Sequence, residues 1–173
     1  MATLAIIREG DPRLRQKALK IRHAEPGLKE LAALMHETMD LAPGVGLAGP
    51  QVGVMRRIIV VHVPEGYDEE DSPDIRLTLL NPEIVKGHGR DFAMEGCLSI
   101  PGWVGEVPRM SMVTIKALDL DNRPVRIKAS GYFARVLQHE IDHLDGILFP
   151  DRMEEGTELL REEEDAEDEA VPA

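Results

Sequence analysis

Aromatic residues are scarce in this sequence: three phenylalanines, two tyrosines and one tryptophan in 173 residues. Its core must therefore be built from aliphatic side chains and from the eight methionines. A single cysteine excludes an intramolecular disulfide framework and suits a reducing compartment. There is no run of about 18 apolar residues, so no membrane span and no membrane partner are expected. The opening MATLAIIREGDPRLRQ has a short apolar run followed by mixed charge, unlike a secretory signal. Together these absences lead to the expectation of a cytoplasmic protein.

Positive charge is also short, but unevenly so. The net charge is −12, and residues 154–170 hold ten acids against one base, Arg161. Residues 1–153 carry only −3 of the total. On that average, the body gives no reason to expect direct nucleic-acid contact. The charge boundary predicts one domain over 1–153 and an acidic, flexible tail over 154–173.

The most informative stretch is HEIDH at 139–143. Histidines four apart on a helix project from one face, so His139 and His143 can share a metal ion. Glu140 then stands beside that ion, where a carboxylate can act as general base toward a water.

Before this motif, apolar Leu28, Leu31, Leu34, Met35 and Met39 recur at helical spacing and predict a helix over 26–41, stopped by Pro43-Gly44. His36 on that helix, with His23, His62 and His88, reads as a surface or boundary histidine. Residues 4–7 read as a short strand or ordered arm. GVGLAG at 44–49 matches the dinucleotide fingerprint, but a helix precedes it and Pro50 follows it, so that match is rejected. A tight turn that lets backbone approach a ligand fits better. Gln51 within it offers an amide suited to an oxyanion.

Strands are expected at 57–63, in 77–86 after an Asn81-Pro82 turn, at 111–118 and at 124–128, the last two forming a hairpin. A helix from about 130 to 145 carries the histidines. Strands outnumber helices and do not alternate with them, so the fold class is α+β: mixed or antiparallel sheets around a C-terminal helix.

A catalytic site needs a third ligand. A histidine at the eleventh motif position is absent, because Phe149 stands there. The acids beyond 146 lie in a featureless tail. Cys97, in EGCLSIP at 95–101, is the better candidate: Gly96 and Pro101 make a shaped loop, and a thiolate with two imidazoles suits zinc or iron.

GVGLAGPQ at 44–51, EGCLS at 95–99 and QHEIDH at 138–143 together resemble the three signature motifs of peptide deformylase, and the resemblance spans about 4–153. It implies that Cys97, His139 and His143 hold one divalent ion, natively Fe(II), with Zn, Ni or Co able to substitute. Glu140 would move the proton, and Gln51 with the Leu98 N–H would stabilise the oxyanion. Gly46 and Arg109 would hold substrate backbone, and Val45, Tyr132 and Val136 would line a methionine pocket. Glu95 would pair with a buried arginine or orient the loop, and Arg135 would alter the pocket rim. The implied reaction is removal of the N-formyl group from formyl-methionyl nascent peptides, near the ribosomal exit tunnel. A zincin-type peptidase and a formyl-peptide binder without turnover are the alternatives.

Overall fold

A computed structural model describes residues 3–22 and 25–162. The chain begins as an extended arm rather than a strand. Leu4 N–H donates to Thr38 Oγ1 at 2.9 Å, and Ile7 N–H donates to the Gln51 carbonyl at 2.7 Å. A 3₁₀ turn at Pro12–Arg15 follows. Helix α1, Leu28–Leu41, starts after Gly27, whose φ of 89° turns the chain into it, and buries Leu28, Ala32, Met35 and Met39. Strand β1 (Gly46–Ala48), a second 3₁₀ turn (Gly49–Val52) and β2 (Ile58–Val63) come next.

Strand β3 runs Ile75–His88 straight through the expected Asn81-Pro82 turn. Those residues form a bulge instead, with Asn81 at φ 50° and a register shift between Leu80 and Glu83. Asparagine tolerates that conformation, and Pro82 removes only one ladder donor. The Asn81 side chain holds the bend, accepting from Ile21 N–H at 2.9 Å and donating to Ile21 O at 2.7 Å.

Strands β4 (Asp91–Cys97) and β5 (Ile100–Arg109) form a hairpin where the sequence suggested a loop. The glycines and prolines that read as breakers lie within its strands, Pro108 opposite Phe92. Strands β6 (Met112–Leu118) and β7 (Pro124–Ser130) form the second hairpin, as expected. Helix α2 is Gly131–Leu144, and α3 is Phe149–Arg152. Gly146, at φ 74°, ends α2 as expected, and a Cβ there would meet the Arg15 carbonyl at 2.5 Å.

Every ladder between named strands is antiparallel: a five-stranded sheet ordered β1-β2-β3-β6-β7 and a three-stranded sheet ordered β4-β5-β8. Strand β8, Leu160–Arg161, falls within the expected tail, yet it pairs with Val104 and Trp103 of β5. An unpaired strand was available there, and its ladder outweighs the local acidity. Strand pairing thus continues past the charge-based boundary at 153. Residues 163–173 of the expected tail, and His23, lie outside the described residues.

Helix α2 lies between the sheets, and all residues from Ala134 to Leu144 are buried. One apolar cluster joins it to the inner face of the large sheet through Val61, Ile115, Leu137 and Ile141. A second seats α1 on the outer face over Ile58, Val60 and Leu80. A third lies under the small sheet around Leu14, Val107 and Phe149. No helix among the described residues is long and apolar enough to cross a membrane.

Candidate metal centre

The α2 spacing turns His139 and His143 toward the hairpin and Glu140 toward β1, and the end of β4 brings Cys97 to them. One ligand atom from each of Cys97, His139 and His143 lies within 4.8 Å of the others, and all three residues are buried. Cys97 Sγ is 3.4 Å from His143 Nε2. His139 Nδ1 is held by Glu95 Oε1 at 2.8 Å, which leaves Nε2 buried with no partner among the described residues. His143 Nδ1 and Glu140 Oε2 are buried and equally unpartnered. Orphaned polar atoms are rare in folded proteins because their desolvation goes uncompensated.

The electrostatics point the same way. Burial alone would drive the proton from His139. The neighbouring Cys97, Glu95 and Glu140 instead raise its pKa well above the ordinary value, while burial, followed by the His139 charge, lowers that of His143. A thiol, two imidazoles and a spare carboxylate thus fit one divalent cation. Burial pushes the Glu140 carboxyl up to about 7 against the opposing His139 charge.

Gln51, 1% exposed, is fixed at both ends of its amide. Its Oε1 accepts from Ala48 N–H at 3.0 Å, which turns Nε2 toward Ser99 Oγ at 3.0 Å and Cys97 Sγ at 3.6 Å. Leu98 follows Cys97 in the hairpin turn. Gly46 lies against Glu140, and a Cβ there would meet Oε1 at 2.5 Å, so only glycine lets β1 approach so closely.

Arg109 lines two surface hollows, of about 370 and 190 Å³, while its guanidinium is committed to buried carboxylates. It is 5% exposed and fully engaged. Its Nε and Nη2 each donate to Glu95 at 2.9 Å, and its Nη1 donates to Asp142 at 2.6 Å. Its place at the end of β5 points its guanidinium toward two buried carboxylates. Glu95 also accepts from Arg135 Nη1 at 2.6 Å. Arg135 lines a hollow of about 190 Å³ with Tyr132 and Arg109; it also donates to the carbonyls of Val107 and Asp91 and ties α2 to both hairpin strands. Burial pushes the Glu95 carboxyl up, but the Arg109 and His139 hydrogen bonds outweigh it and hold the group well below the ordinary range.

Val45 and Val136 are buried in the cluster against which Tyr132 packs. Tyr132 stacks on Tyr67, ring centroids 4.9 Å apart, and its N–H donates to Asp68. A cleft of about 580 Å³ opens beside Cys97 and Leu98 and runs past Ile100 to Trp103, with Leu4 and Leu41 on its other wall. Val45, Tyr132 and Val136 do not line it. The sequence reading missed Ser99, Asp142 and Trp103. The QHEIDH string could have flagged Asp142, since it lies three residues after His139 on the same helix.

A sequence-family profile described as polypeptide deformylase matches residues 3–158. The chain is 59% identical over 171 residues to a peptide deformylase of Thermomicrobium roseum, covering 96% of this chain and 97% of that protein. The fold resembles a peptide deformylase from Thermus thermophilus at a TM-score of 0.80 and 41% identity, covering 88% of this chain and 86% of that one. It also resembles a Met-Ala-Ser-bound peptide deformylase from Acinetobacter baumannii at 0.81 and 36% identity, covering 88% and 99%. These likenesses favour neither a zincin peptidase nor a binder without turnover. With a buried Cys-His-His cluster that calls for a cation, the chain belongs to the peptide deformylase family, metal-dependent hydrolases that remove the N-formyl group from newly made polypeptides.

Proposed function

We propose that Cys97, His139 and His143 hold a ferrous ion and that Glu140 and Gln51 carry out deformylation of formyl-methionyl chains in the cytoplasm. The observation that carries this reading is the pair of orphaned buried atoms, His139 Nε2 and Glu140 Oε2, beside the three ligand atoms. A bound divalent ion would supply Lewis acidity and a water acidic enough to attack at neutral pH. Glu140 would accept a proton from the water that attacks the formyl carbon and deliver it to the leaving amine nitrogen as the C–N bond breaks, giving formate and a free N-terminus. Its burial-raised pKa, about 7, suits a group that takes up and then returns a proton. Gln51 Nε2 and the Leu98 N–H donate to the formyl oxygen as it gains charge, and losing one such donor costs about 3 kcal/mol of barrier.

Val45, Val136 and Tyr132 line the methionine side-chain pocket; their membership of one apolar cluster supports this. Gly46 holds the substrate's backbone, as the close approach of β1 to Glu140 allows. A thiolate with two imidazoles supports iron, and also zinc, nickel or cobalt as substitutes. The ribosomal exit is where such a substrate appears.

The test is formate release from formyl-Met-Ala-Ser by anaerobic, iron-loaded protein beside Glu140→Ala. The parent should turn over and the variant should lose about 10²–10⁴-fold. Nickel-loaded protein should keep its activity in air while iron-loaded protein loses it. No release by folded, metal-loaded parent overturns the reading.

A further inference from the structure

The near-neutral average of the body conceals a cationic surface. Helix α1 covers one part of the outer face of the large sheet, over Ile58, Val60 and Leu80. The part formed by the ends of β3, β6 and β7 has no such cover. There the registers Lys86↔Thr114↔Lys128 and Glu83↔Lys116↔Arg126 set Lys86, Lys116, Arg126 and Lys128 on one face. All four are exposed, and Glu83 is the one acid in those rows. None of the four forms an ion pair among the described residues. A hollow of about 280 Å³ lies between three of them, lined by Lys86, His88, Met112, Thr114, Arg126 and Lys128, with Lys116 outside it on the same face.

Lys116 and Arg126 are direct cross-strand partners. Like charges placed opposite each other destabilise a sheet, and their side chains start about 5 Å apart. Protection of an exposed edge explains lysine or arginine on β7, the last strand of the sheet. It does not explain Lys116 on β6 or Lys86 on β3, which lie inside the edge. In a chain of net charge −12, four unpaired cations on one hollow face need another reason.

We propose that this face binds the phosphate backbone of structured RNA. The hollow offers no Phe, Tyr or Trp for base stacking and only the His88 ring, so binding reads backbone charge and not sequence. Its hollow accepts a projecting ridge such as a phosphate backbone better than it accepts a flat bilayer. The proposal rests on the reading of the substrate as a nascent chain, because anchoring to RNA brings the enzyme to the site where that substrate emerges.

The test is fluorescence anisotropy of a labelled 20-base-pair RNA with the full chain, at 50–200 mM salt. Four phosphate contacts predict a slope of about −3.6 in log affinity against log salt. They also predict roughly a hundredfold weaker binding across that range. The variant Lys86→Gln, Lys116→Gln, Arg126→Gln, Lys128→Gln should lose most of the affinity and most of the slope. Its release of formate from formyl-Met-Ala-Ser should stay unchanged, which separates this proposal from the catalytic one. Equal RNA binding by parent and variant overturns the proposal, as does absence of binding by the parent at 50 mM salt. Tighter binding of the parent to phosphatidylserine vesicles than to RNA overturns it in favour of a lipid surface.

Discussion

Two groups of buried polar atoms meet at His139, and they are treated in opposite ways. On the Nδ1 side, Glu95 has four donors on its two oxygens: two from Arg109, one from Arg135 and one from His139. Arg109 goes on to Asp142, which Arg152 closes toward solvent with bonds of 2.9 and 3.1 Å. On the Nε2 side, His139 and Glu140 each leave a buried atom unpaired, beside Cys97 Sγ and His143 Nε2. The saturated network holds the imidazole still, and the orphaned cluster is kept open for a ligand. A buried charge is tolerable when every partner is present, and removing one partner exposes the whole desolvation cost. The orphans carry that cost by design of the site, so filling it should stabilise the fold.

The largest effect should come from opening the saturated side. Arg109→Leu leaves Glu95 and Asp142 each short of a partner in the interior, and should cost about 3–5 kcal/mol in urea unfolding. It should also weaken zinc binding by about 10–100-fold, because Glu95 then holds His139 less firmly. A variant with parent-like stability and metal affinity would show that the network is not what fixes the imidazole.

The orphaned side should respond in the other direction. In metal-free protein, Glu140 has a folded pKa of about 7 against an ordinary 4.5. A raised carboxyl binds its proton more tightly folded than unfolded. Its stabilising contribution is complete below pH 4.5 and is lost as pH rises through 7. The change is on the order of 3 kcal/mol. Metal-free Glu140→Gln should lose this pH slope and be more stable than the parent at pH 8, even as it loses turnover. Equal stability of the two metal-free proteins at pH 8 would mean that water relieves the buried carboxylate.

These two sides were not equally legible in the sequence. Helical periodicity alone fixes which residues after His139 share its face, so the orphaned cluster could be read from HEIDH. Cys97 was readable because glycine and proline shape the chain around it. The saturated network was hardly readable. Arg109 is thirty residues from His139, and its direction depends on β5 pairing with β4 through a stretch rich in proline and glycine. Arg135 has the spacing of a pocket residue and the rotamer of a clamp. Strand β8 was hidden by charge, since its ladder depends on an unpaired edge elsewhere. The cationic face was hidden because Lys86 joins Lys116, Arg126 and Lys128 only through strand register.

His36 gives the smallest and cleanest check on the comparison, because it is an orphan far in sequence from the metal ligands. Its Nε2 pairs with Thr78 Oγ1 at 2.9 Å, while its Nδ1 is buried without a partner among the described residues. Burial, followed by the Arg76 charge, lowers its pKa from 6.5 to about 4, against a smaller opposing pull from Asp40. A depressed histidine has the opposite linkage to Glu140. The unfolded chain takes up the proton first, so stability is complete above pH 6.5 and declines as pH falls toward 4. The side chain is only half-buried, so solvent screening reduces the contribution to about 1 kcal/mol. In His36→Gln, the decline in metal-free stability between pH 6.5 and 4 should be shallower by that amount, while the opposite Glu140 slope between pH 4.5 and 7 stays in place. If the effects of His36→Gln and Glu140→Gln on the profile fail to add in the double variant, the orphans are not independent, and the unpaired atom on α1 is coupled to the metal centre through the sheet between them.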